Sequence, residues 1–330
     1  MRPRSLLTHQ TGLSLIELLV ALVISTLVSF GVVNLFLQMR VSGQQDDEIA
    51  RLQENGRWAL RYISRDLSMT GFFGNRISGA GVGSTLVVTD DCDPGWSLDT
   101  AQPLEHLDNV TAVTATTEYD CLTNGDIEVG TDILAIRRTH DSPHVEDGGA
   151  VVGLSSNTVY LRLEQFGVQG QLVKGSEFSL SDLTAGSGVD AWEYEVRLFF
   201  IRPYADTPGD GIPSLCIKRL TTDNAAITLD STECLVEGIE NLQVEFGLDL
   251  SEPRDYTADY YTATPTADEL DQAVTAKIYL LARSVSEVPG YTNDKSYQLG
   301  DATIAAANDG YYRRMMQTTV VLRNGGVFGL

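Results

Sequence analysis

The pattern of apolar and polar positions changes character twice along the chain. From Leu13 to Met39 almost every residue is apolar, the exceptions being Ser14, Glu17, Ser25, Thr26, Ser29, Gly31, Asn34 and Gln38. A helix needs roughly 20 apolar residues to cross a bilayer core, and this run is long enough. From Asp46 the pattern turns amphipathic. Ile49, Leu52, Gly56, Ala59, Leu60, Ile63 and Leu67 recur at spacings of three and four, as one apolar helix face requires. No proline falls between Pro3 and Pro94, so the two halves are expected to form one continuous helix that stops at Gly71. From Leu13 to Thr70 such a helix would be about 85 Å long at ~1.5 Å per residue.

After Gly74 the texture becomes short β-like runs separated by Gly, Asp, Asn, Ser and Pro. The expected strands are STLVVT from Ser84, DILAIRR from Asp132, TVYLRL from Thr158, EYEVRLFFI from Glu193, SLCIKRL from Ser214, NLQVEFGL from Asn241, AKIYLLARS from Ala276 and MQTTVVLRN from Met316. In the seventh, Ile278, Leu280 and Ala282 alternate with Lys277, Tyr279 and Arg283, the pattern of an antiparallel strand with one buried face. The fold class expected is α+β: a long N-terminal helix packed on an antiparallel β-sheet.

Composition narrows the function. The 330 residues carry a formal net charge of −22. A surface this acidic repels nucleic acid and anionic headgroups over a Debye length of ~8 Å, so no nucleic-acid partner is expected. Four cysteines, Cys92, Cys121, Cys216 and Cys234, are widely spaced, with no CxxC pair and four histidines in all. That argues against zinc and suits two disulfides in an oxidising compartment. Neighbour-to-neighbour pairing is the simplest of three possible connectivities, and the sequence does not choose among them. Free buried thiols are the alternative.

The usual catalytic signatures are missing. GAGVGS, from Gly79, lacks the GxGxxG spacing and a lysine, and reads as a turn. His140 and His144 flank Pro143 and read, with His9 and His106, as polar loop residues. There is no GxSxG elbow. The acid-rich TDDCDPG (Asp90, Asp91, Asp93) and DTPGDG (Asp206, Asp210) lack calcium-loop spacing with a closing Glu and read as solvated turns. No enzyme, metal or cofactor is expected; calcium at these loops is the minor alternative.

What remains is one carboxylate in an apolar segment. Glu17 at bilayer depth costs about 3 kcal/mol on insertion scales. Arg2 and Arg4 precede the segment and orient its N-terminus to the cytoplasm. A secretory signal peptide, weakly supported by Ser29-Phe30-Gly31, and a plain membrane anchor both leave Glu17 without a purpose. A lipoprotein leader would need a nearby Cys.

The stretch TGLSLIELLVALVIS resembles the N-terminus of type IV pilins and pseudopilins. In that family a basic leader ends in Gly, a peptidase cuts on the cytoplasmic side, the new terminus is methylated, and a Glu follows four residues later. The resemblance implies cleavage between Gly12 and Leu13, N-methylation of Leu13, and pairing of Glu17 with the Leu13 amine of a neighbouring subunit. Most members have Phe where this chain has Leu13. RLQENGRWALRYISRDLSMTGFFG, Arg51 to Gly74, is similar to the more specific segment of PilW-type minor pilins. CLVEGIENLQVEFGLD (Cys234 to Asp249), AKIYLLARS and the final TTVVLRN also match that family. Residues 85–190 match nothing specific. Arg57, Arg61 and Arg65, with Asp47, Glu48, Glu54 and Asp66 interleaved, read as a solvated helix face, with an interaction surface as the alternative.

The resemblance implies a leader at 1–12, a transmembrane and assembly half of the helix at 13–40, an amphipathic half at 41–70, and a β-rich periplasmic domain at 71–330. The protein would sit in the inner membrane and then in the pilus, helping to initiate or cap it. Its partners would be prepilin peptidase, other minor pilins and the major pilin, an inner-membrane assembly platform and a tip adhesin. A type II secretion pseudopilin is the runner-up, and an anchored exported binding domain or enzyme the third reading.

Overall fold

The computed structural model describes residues 12, 14–76, 78–164, 167–223, 226–229 and 232–324, with only the backbone of 112 and 113. His9 and Leu13 lie outside the described residues.

One uninterrupted helix of 54 residues, Leu15–Ser68, dominates the fold. It starts at a capping box. The Ser14 hydroxyl accepts the Glu17 N–H at 3.3 Å, and the Glu17 carboxylate accepts the Ser14 N–H at 2.9 Å. At the far end the Met69 N–H reaches back to the carbonyls of Asp66 and Leu67, and Gly71 turns the chain at φ +71°. That left-handed conformation suits glycine.

The helix has two environments. Its apolar first half touches almost nothing: from Leu15 to Met39 the large apolar side chains are 53–79% exposed. Its second half buries Leu52, Gly56, Ala59, Leu60, Ile63 and Leu67, the stripe its periodicity predicts. Four of these are large aliphatic side chains, together worth roughly 6–12 kcal/mol of transfer free energy as an upper estimate. They pack on the core of a four-stranded antiparallel sheet ordered Tyr260–Thr262, Ile239–Leu248, Ala273–Arg283, Arg313–Val321. Gly56 permits the close approach: a methyl group there would lie 2.7 Å from Met316 Sδ and 3.3 Å from Ala282 Cβ.

A larger second sheet is built around the 14-residue strand Val189–Arg202. Ile133–Thr139, Val159–Glu164 and Ser214–Asp223 pair with it antiparallel. Two peripheral pairings are parallel: Gly83–Ser84 with Gln169–Lys174, and Val88–Thr89 with Ala226–Leu229. The single strand expected from Ser84 is therefore two short ones. The Ser84 hydroxyl accepts the Leu86 N–H and interrupts the ladder between them.

Two disulfides are formed. Cys216–Cys234 joins directly opposed residues of Ser214–Asp223 and Glu233–Glu237. Cys92–Cys121 pins the segment after Val88–Thr89 to the end of the short helix Ala112–Glu118.

Candidate functional site: the exposed half-helix and its anchorage

Gly12 and Glu17 are exposed, and a Cβ at Gly12 would meet nothing within 4 Å. Within the chain Glu17 already has a task, since its carboxylate caps the helix through Ser14. Downstream, the bare apolar side chains far exceed the few hundred Å² that a soluble monomer ordinarily leaves in one patch. This half of the helix is a surface in need of a covering.

The other half is held to the globular part by buried charge. Asp66 was expected among the solvated acids of the helix, but its side chain is 1% exposed. It accepts Arg138 Nη2 at 2.9 Å and also pairs with Arg197 Nη1. Glu195 closes the group, 2.5 Å from Arg138 and 3.1 Å from Arg197. Two positive and two negative charges thus balance where the helix end meets the large sheet. Burial works against the Arg197 charge, but the carboxylates of Asp66 and Glu195 outweigh it and raise its pKa above the usual arginine value. Asp66 lies seven residues after Ala59 and three after Ile63, so its phase on the apolar stripe was the available signal.

Further side chains fasten the same face. Asn55 Nδ2 donates to the Glu237 carbonyl at 3.0 Å, and Gln45 Nε2 to that of Pro289 at 3.2 Å. Trp58 stacks on Tyr62 with ring centroids 4.9 Å apart, and the Arg197 guanidinium lies 5.4 Å from the Tyr62 ring. Arg57, Arg61 and Arg65 are exposed.

The C-terminal segment GIENLQVEFGLD works as a junction. Asn241 and Gln243 both donate to the Gly130 carbonyl, at 3.0 and 3.1 Å, tying the small sheet to the loop before Ile133. Glu240 receives two bonds from Arg313, at 2.5 and 2.8 Å, and Arg313 also grips Asp309. The Arg313 hydrogen bonds hold the Asp309 carboxyl below the usual carboxylate range. Asp249 accepts the Ser251 and Tyr256 N–H groups, at 3.0 and 2.7 Å, and organises the following loop.

His106 is a second correction. It sits in the strand Leu104–Leu107 and is buried, with Nε2 2.9 Å from Asp132 Oδ2. The same carboxylate accepts the backbone N–H groups of Asn109 and Val244. Asp132 is 26 residues from His106 and 112 from Val244, so no local pattern announces the contact. His144 faces Glu193 at 3.2 Å, and the His140 and His144 rings meet edge-on at 6.4 Å.

The acid-rich turns spend their carboxylates on the backbone. Asp91 accepts the N–H groups of Cys92 and Ser97. Asp210 accepts those of Ile212, Asp206, Thr207 and Ala205, which brings its pKa down to about 2. Gly79 belongs to a turn, its carbonyl accepting Thr100 Oγ1 at 2.8 Å. Among the described residues no group of three or more His, Cys, Asp or Glu could hold a metal ion.

A membrane-length bare helix, capped by a carboxylate, continues into a β-rich head in an α+β architecture. Residues 7–33 match the prokaryotic N-terminal methylation motif, and that motif implies processing by prepilin peptidase. Residues 199–324 match the family described as Type IV Pilus-assembly protein W. The two matches cover the N-terminal segment and the C-terminal part of the chain, and so relate it to type IV pilus-assembly proteins at both ends. No curated protein shows significant similarity to it. Among solved structures, a type IV-like pilin from Thermus thermophilus covers 84% of this chain and 98% of its own, with 11% identity and a TM-score of 0.37. At that score the superposition transfers nothing residue by residue.

Proposed function

We propose that this protein is a minor pilin that joins other minor pilins in initiating or capping a type IV pilus. In this reading prepilin peptidase cuts between Gly12 and Leu13, and the amine of Leu13 is methylated. Residues 13–40 then hold the chain in the inner membrane, with 71–330 in the periplasm. The assembly platform moves it into the pilus beside the major pilin, and at the tip an adhesin is a further neighbour.

The observation that carries this is the division of one helix. The Leu15–Met39 stretch is bare, while the residues from Leu52 onward are welded to the head. A bilayer covers the first half before assembly and neighbouring helices cover it afterwards. Cutting at Leu13 creates a cationic amine, and methylation keeps its charge. Glu17 then has a partner on the next subunit that offsets the ~3 kcal/mol cost of a lone carboxylate in the apolar layer. Two disulfides suit the periplasm.

The test is N-terminal mass spectrometry of protein extracted from membranes. A terminus at methylated Leu13 is the expected result. An intact Met1, or a terminus near Val32, overturns the reading.

A further inference from the structure

The exposed face of the helix beyond the apolar run has an uncommon composition for this chain. Arg57, Arg61 and Arg65 stand at successive four-residue steps, each step rising about 6 Å along one side of the helix. Arg57 and Arg61 form no ion pair or hydrogen bond among the described residues, and Arg65 reaches Asp141 only at 3.7 Å in an exposed contact. On a chain of net charge −22, cations could easily have been paired internally. Beside them Trp58 is 42% exposed, held flat by its stack on Tyr62. A rigid exposed tryptophan among arginines has the composition that dominates binding energy at protein interfaces.

Anionic lipid is poorly placed to use this row. Arg57 to Arg65 lie about 27–39 Å beyond Met39 along the helix axis at 1.5 Å per residue. That is well past the headgroup layer and a Debye length of ~8 Å. A second copy anchored at the same depth is also disfavoured, because it sets arginine against arginine and Asp46 and Asp47 against themselves. The charge asks for a different helix, parallel to this one, with carboxylates at four-residue spacing.

We infer that the Arg57–Arg61–Arg65 row and Trp58 form a docking edge for an acidic helix of another pilin subunit. This rests on the minor-pilin reading and names the chemistry of its neighbour. The carboxylates of that helix meet the three guanidiniums, and an apolar seat on it covers the Trp58 ring. Buried arginine–carboxylate contacts set which neighbour is accepted, while the bare Leu15–Met39 stretch supplies affinity without choosing.

The test uses the full chain in cells that assemble pili. A photo-crosslinking residue, p-benzoylphenylalanine, is placed at position 54, an exposed site one helical turn from Trp58. Irradiation is expected to give an adduct with a different chain that carries a prepilin-type N-terminus. The linked peptide should bear Asp or Glu at i and i+4. Arg57→Glu with Arg61→Glu should lower its yield at least tenfold, as should Trp58→Ala alone, while both disulfides and the far-ultraviolet circular dichroism are retained. No adduct, an adduct only with a second copy or with lipid, or a yield insensitive to charge reversal overturns the inference. Normal piliation with the charge-reversed chain, where deletion abolishes pili, refutes the docking edge and leaves the minor-pilin reading standing. An uncut chain whose deletion spares pili removes both.

Discussion

Replacing Asp66 by Asn tests whether buried charge, and not only apolar packing, holds the helix to the head. Asp66 is shielded from water and shared by Arg138 and Arg197. With Glu195 the group is neutral, two positive against two negative; Asp66→Asn leaves it at +1. Removing one partner of a buried ion pair costs about 3–5 kcal/mol. Glu195 still contacts both guanidiniums, and an asparagine oxygen still accepts one hydrogen bond, so the loss should fall near 3 kcal/mol. Asp66→Ala removes that acceptor too and should approach about 5 kcal/mol. Urea unfolding of the full chain in detergent, followed by tryptophan fluorescence, measures the difference. Trp58 stacks on Tyr62, whose ring faces the Arg197 guanidinium, and so reports on the cluster. Hydrogen exchange should rise first at residues 56–68. Adding Arg197→Met to Asp66→Asn restores neutrality, and the double variant should be less destabilised than the sum of the singles by at least ~1 kcal/mol. A change for Asp66→Asn within about 0.5 kcal/mol of wild type, the range of ordinary surface substitutions, would refute the reasoning.

Other consequences can be checked separately. Gly56→Ala should be nearly neutral by urea unfolding, because about 1 kcal/mol of helix propensity offsets the shift forced on the flexible end of Met316. Gly56→Leu overfills the same contact with Ala282 and should cost about 1–3 kcal/mol. Cys216→Ser with Cys234→Ser releases a loop of 18-residue separation and should lower stability by about 3 kcal/mol in the chain-entropy model, read as a lower urea midpoint. Asp210 has a folded pKa of about 2, below its unfolded value of ~3.9. The unfolded turn therefore binds more protons in that window, and the stabilisation, complete above pH ~4, is lost as pH falls towards 2. Pepsin cleavage beside Tyr204 should increase over that interval in the wild type and be equally fast throughout in Asp210→Asn. At the N-terminus, Glu17→Gln keeps the capping box while removing the charge, whereas Glu17→Ala removes both. Both should be folded and processed but poorly piliated; normal pili with Gln would assign Glu17 to the cap alone.

Much of the architecture was readable because it is written in local periodicity. The absence of proline between Pro3 and Pro94 and the three-four spacing from Leu52 to Leu67 describe one long helix and its buried stripe. The alternation from Ala276 to Arg283 likewise places Ile278, Leu280 and Ala282 inward. Asp66 and His106 were misread for one shared reason. Both are polar, and polar residues are exposed unless something distant satisfies them. Arg138 and Arg197 lie 72 and 131 residues from Asp66 in the chain. The signature Glu240, Asn241 and Gln243 stood out as a pattern of residues, but its use, bonding to Arg313 and Gly130, needed the fold.

The sequence by itself determined the helix, its apolar first half, the carboxylate at position 17 and the strand-forming texture of the head. These depend on side-chain type and spacing within a few turns. Tertiary structure decided which charges are buried, how the strands divide between two sheets, and which cysteines meet. The cost of a buried charge is not a property of the residue that carries it. It depends on partners that only the folded chain brings within 3 Å.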